Sequence, residues 1–247
     1  MLHTLFKSLR GTEWELLTGF VSPAFFDVVP VLSMARAFGT ILTEYVNPIK
    51  FEAALKASAY LTSKFEGVAL DSPELKARAV LEIYFRQIFD KDFVLLDLRS
   101  SAFKFTDDKI FWNPKPLFYV WDENFIKSIR QLYSGFYGNN EKDFLGALAS
   151  LDLSHAAEIF RSHFGVGDQS SLRFSLADFK KSFQLIFESC KKHKTKLHPD
   201  FFALGAYLLC LYEHAESLDV AVNVRGAFDA AASNRLGTPL VSSRSSH

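Results

Sequence analysis

The sequence predicts a mainly α-helical protein with a few short β-strands. Three observations lead there. Apolar residues recur at helical spacing through most of the chain, beginning with Leu75–Phe89 and resuming after Asp122. Helix-start signals precede these stretches: Ser72-Pro73, Asp122, and Ser175 with Asp178. Strand-like runs are confined to a few residues before position 120.

Composition narrows the function classes. At 247 residues the chain buries one substantial core, and 28 basic against 28 acidic residues leave no charge footprint for nucleic acid. Two cysteines, Cys190 and Cys210, suit a reducing intracellular compartment and lack metal-ligand spacing. No apolar run approaches the ~20 residues of a membrane span. The 26 phenylalanines read either as a Phe-rich core or as surplus aromatic surface for a partner.

In chain order, residues 1–12 carry Lys7 and Arg10 without an acid, and read as an amphipathic first helix or the remnant of an organelle-targeting helix. Residues 13–28 are helical or irregular, broken at Ser22-Pro23. Two short strands are expected at 29–32 and 40–46, then a helix over 51–65 and a loop over 66–70. Asp71 or Ser72 caps the next helix, with Pro73 in its first turn. The apolar run 93–98 reads as a strand covered on both faces, and the carboxylate of Asp97 inside it must be hydrogen-bonded, paired or used. A hairpin follows, ended by Pro114 and Pro116. Helices are then expected at 123–136, 141–150, 153–164, 176–193 and 200–217, the last of the series, with Gly165–Asp168 as one stop. The serine-rich residues 229–247 read as a disordered or partner-bound tail.

The segment Ile83-Tyr84-Phe85-Arg86-Gln87-Ile88-Phe89, followed by Phe93, resembles the helix entering the catalytic loop of the UbiB/AarF family of atypical kinases. A second block, Leu197-His198-Pro199-Asp200-Phe201 through Leu218-Asp219, is similar to that family's closing helices. The resemblance implies a kinase-like C-terminal lobe over residues 29–228, lacking the N-terminal nucleotide lobe. It places the catalytic Asp at Asp97, the metal-binding Asn at Ala102, and the second metal-binding Asp near Asn113 or Pro114. It also likens Glu44 to the hinge acid, where the bare sequence allows a solvated strand-end carboxylate.

Phosphoryl transfer needs metal ligands and a phosphate cradle, and only Asp97 survives of that set. No cofactor or metal site is therefore expected, and none of the seven histidines sits at a trusted ligand spacing. The expected function is that of a catalytically inactive, pseudokinase-like structural subunit binding protein partners in a larger assembly, which the resemblance makes organellar, mitochondrial or membrane-associated. Trp112, Phe118, Tyr119 and Trp121 are the interface candidates, with core packing as the plain alternative. Rival readings are a lipid or quinone-precursor binder with a Phe-lined pocket, and a residual ATPase using Asp97.

Overall fold

A computed structural model describes residues 27–164 and 171–233. The expectations for residues 1–26, the stop at Gly165–Asp168, and the tail from 234 to 247 lie outside these residues.

Among the described residues the chain is mainly helical, with three two-stranded antiparallel sheets. Helix α1 (Val31–Val46) takes the place of both expected strands. Thr40, Ile41, Thr43 and Val46 carry strand propensity. Yet Ala37, Phe38, Ile41, Leu42 and Tyr45 recur at three- and four-residue spacing and pack into the core, and that period prevails. The Thr40 and Thr43 hydroxyls donate to the carbonyls of Arg36 and Gly39, four residues back, as threonine does inside a helix. The expected helix at 51–65 divides into α2 (Ile49–Ala57) and the single turn α3 (Tyr60–Ser63), interrupted at Ser58.

Helix α4 (Pro73–Asp90) starts where the sequence says: the Ser72 hydroxyl accepts from the Leu75 amide, and Pro73 opens the first turn. It is buried on nearly all sides and lies against α9 (Phe201–Ser217), which is apolar around its whole circumference. Their rings meet at the centre, where Tyr84 stacks on Tyr207 with centroids 4.8 Å apart. After α4 come β1 (Phe93–Leu95), the hairpin β2 (Phe103–Phe105) and β3 (Ile110–Trp112), and β4 (Phe118–Val120). The expected six-residue strand at 93–98 thus shortens to three, and its partner is β4, with Val94 opposite Tyr119.

Helices α5 (Glu123–Tyr137) and α6 (Glu141–Ser150) form a tight hairpin. The approach is so close that a Cβ on Gly135 would stand 2.4 Å from the Phe144 amide nitrogen. The stretch 153–164 is a short 3₁₀ turn followed by α7 (Ala157–Phe164). Helix α8 (Leu176–His193) begins at Ser175, whose hydroxyl accepts from the Asp178 amide as the capping box requires.

Strand β5 (Leu172–Arg173) pairs with β6 (Ala221–Val222). The chain then makes a further helix, α10 (Val224–Ala232), beyond the one expected to be last. The Asn223 side chain caps it, and Phe228 packs edge-on against Phe85 and Phe89 of α4. The expected tail boundary at 229 falls inside this helix.

Candidate functional site

The site is built by the two loops that leave β1 and β3. Gln87, fully buried on α4, fixes the start of the first loop: its Oε1 accepts from the Leu95 amide at 2.9 Å. Its Nε2 donates to the Leu95 carbonyl at 3.3 Å and to the Tyr207 hydroxyl at 2.7 Å. A side-chain amide so placed satisfies β1 on the edge that β4 leaves open.

Past Leu95 the chain turns and buries Asp97, which is 1% exposed. Its Oδ1 accepts from Arg99 Nε at 2.7 Å and from the Arg99 amide at 3.3 Å. Its Oδ2 accepts from Arg99 Nη2 at 2.9 Å and from the Lys115 amide at 2.9 Å. The carboxylate is therefore paired side-on with a guanidinium that is itself buried.

Neighbouring groups close this loop. Trp112 Nε1 donates to the Asp97 carbonyl at 2.9 Å. His214 Nδ1 donates to the Leu98 carbonyl at 2.9 Å, and burial lowers the His214 pKa, so the ring stays neutral in that contact. The Glu213 carboxylate accepts from the Ser100 amide at 2.8 Å and its hydroxyl at 2.9 Å. Cys210 lies below, its thiol pushed up to about 12, first by burial and then by the charge of Asp97.

The second loop, residues 113–117, meets the first. The Asn113 amide donates to the Ala102 carbonyl at 2.8 Å, and Lys115 reaches Asp97 through its backbone. The three positions singled out in the sequence, Asp97, Ala102 and Asn113, thus converge. Arg99 and Glu213 complete the site and were missed. Arg99 had a legible signal, because residues two apart in extended chain share a face. Glu213 had none, being 113 positions from the serine it holds.

The proposed interface aromatics are placed otherwise. Phe118 is buried with Phe51, Ala54 and Leu95 in a small second cluster. Tyr119 is buried and donates to Asp200 Oδ1 at 2.8 Å. Trp121 is buried against Tyr119 and Phe125. Trp112, partly buried, stacks on Phe103 with centroids 5.7 Å apart. Three of the four belong to the interior, and the fourth roofs Asp97. Glu44 is not the solvated strand-end carboxylate that the bare sequence allows: it lies in α1, it is buried, and its Oε2 accepts from the Lys50 and Phe51 amides at 3.1 Å each, capping α2.

Other concavities are chemically plain. A groove of about 690 Å³ lies between α5 and residues 150–152 and 196–198. Its rim carries Asp122 and Asp152 beside Lys127 and Lys196, so neither charge sign prevails. One aromatic-lined pocket between helices amounts to about 30 Å³, bordered by Tyr84, Phe85, Tyr133, Tyr137 and Phe164. That is space for a water, far short of a quinone head or an acyl chain. Among the described residues no three His, Cys, Asp or Glu side chains converge to hold an ion, and no helix is long and apolar enough to cross a membrane. Compared with protein-family models, with curated proteins and with solved structures, the chain matches none.

Proposed function

We propose that this chain is a non-catalytic interaction subunit of a larger assembly, built on a degenerate kinase C-terminal lobe of the UbiB/AarF type. The observation that carries the reading is the Arg99 guanidinium on Asp97. The loops bearing the positions of catalytic Asp, metal-binding Asn and second metal-binding Asp come together, and both Asp97 oxygens are taken by donors of the chain itself. A carboxylate so engaged neither accepts a substrate proton nor offers a lone pair to magnesium. The order of helix, strand, loop and hairpin around it agrees with the resemblance.

Surface apolar residues support the partner. Val46 is 77% and Ile49 69% exposed at the junction of α1 and α2, and Phe111 stands out from the hairpin. These lie within the segments 29–51 and 93–118, the face from which a nucleotide lobe would be missing. A protein partner covers such a face. The resemblance assigns the assembly to an organelle or its membrane.

The test combines two measurements on the full chain. Magnesium–ATP is expected to leave the melting temperature unchanged, and Val46→Lys with Ile49→Lys is expected to release the protein from its native complex without lowering stability. Stabilisation by magnesium–ATP that Asp97→Asn abolishes would overturn the proposal.

A further inference from the structure

Arg86 lies on α4, one turn after Glu82 and one turn before Asp90. It is 5% exposed, and its Nε and Nη2 atoms, both shut off from solvent, have no hydrogen-bond partner. These nitrogens form one edge of the guanidinium, the edge by which Arg99 grips Asp97. A guanidinium keeps its proton in a protein, so burial does not neutralise it as it would a lysine.

The acids within reach along the helix are engaged. Glu82 accepts from Lys64 and from Arg78, and Asp90 accepts from the Tyr60 hydroxyl at 3.2 Å. Around Arg86, Lys64, Arg78 and Arg86 therefore set three cations against two carboxylates, Glu82 and Asp90. Two observations converge: an unsatisfied fork, and a local surplus of positive charge.

We propose that Arg86 is the receptor for an oxyanion of the carboxylate or phosphate type, bound side-on by its Nε and Nη2 donors. Two parallel donors select an acceptor with two oxygens in one plane over a spherical anion. The proposal uses none of the Asp97 contacts and stands whether or not the functional proposal above holds.

The experiment melts the full chain and Arg86→Met in chloride, acetate and phosphate at equal pH and ionic strength. Wild type is expected to gain several degrees in acetate or phosphate over chloride, the larger gain identifying the carboxylate or phosphate source. Arg86→Met is expected to lose that gain while melting in chloride at or above wild type. Three results overturn the proposal: no gain in wild type, an equal gain in the variant, or a variant lowered by the same amount in all three salts. Should the variant not fold, the Arg86 Nε–H resonance of wild type decides alone. A downfield move with slowed exchange on adding acetate or phosphate supports the site, and an unmoved resonance overturns it.

Discussion

Removing one member of the Asp97–Arg99 pair tests the central site most directly. Arg99→Met strips the two charged donors of the four from a carboxylate that is 1% exposed, leaving the backbone amides of Arg99 at 3.3 Å and Lys115 at 2.9 Å. The amide contact at 3.3 Å belongs to the backbone and survives in part, so the loss centres on the two charged bonds. An unpaired buried charge of this kind costs about 3–5 kcal/mol. Asp97→Leu strands the Arg99 guanidinium in the same way. The double variant, Asp97→Leu with Arg99→Met, removes both charges, and a buried pair exchanged for apolar groups of similar volume is often neutral or stabilising by about 1–4 kcal/mol. Urea unfolding followed by tryptophan fluorescence reads all three, with constant m values checking that the transition stays two-state. Each single variant is expected to lose at least about 3 kcal/mol and the double to recover most of it. A single variant costing less than about 1 kcal/mol would refute the reasoning, because it would mean that the pair opens to water and leaves Asp97 free for other work.

Gln87→Leu leaves the Leu95 amide and carbonyl without their side-chain partners, and is expected to cost about 2–3 kcal/mol and to speed amide exchange in β1. Gly135→Ala forces α5 from α6 and is expected to lose about 2–4 kcal/mol, whereas Gly146→Ala, whose added methyl meets only the Gln131 side chain at 3.5 Å, gains up to about 1 kcal/mol of helix propensity; matched thermal melts distinguish them. His163 sits among apolar rings that push its pKa down to about 4. Above its unfolded value of 6.5 that depressed pKa costs nothing; below it the unfolded chain takes up the proton first, so stability falls as pH drops from 6.5 towards 4. Linkage gives about 2 kcal/mol lost by pH 5, reduced to about 1 kcal/mol by the ring's partial exposure. His163→Phe is expected to flatten that part of the pH–stability curve.

What the sequence made legible was local. The Ser72-Pro73 start of α4, the Asp122 start of α5 and the Ser175–Asp178 start of α8 are each written within four residues, and each stands where expected. The run Thr40–Val46 misled because β-branched residues fit either backbone and only the spacing across all of α1 decides. The interior aromatics Phe118, Tyr119 and Trp121 were read as possible surface anchors because composition does not reveal that β4 is laid against β1 and α1. Asp97, Ala102 and Asn113 were singled out through a resemblance, and the loops that bear them meet through backbone hydrogen bonds. That Arg99 meets Asp97 was open to reading in their two-residue spacing along extended chain. Long-distance closures, such as Glu213 on Ser100 and His214 on Leu98, leave no trace in neighbouring residues.

The placement of α9 bears on how the protein is made. The helix at the middle of the interior is synthesised well after the elements packed around it, so α4, β1 and the Asp97 loop emerge long before the surface they close upon. Synthesis at about 5–20 residues per second leaves that interval open for several seconds, with aromatic side chains of α4 in water. Nascent chains halted short of residue 201 should stay sensitive to protease and bind chaperones, and release past residue 217 should end both conditions in one step.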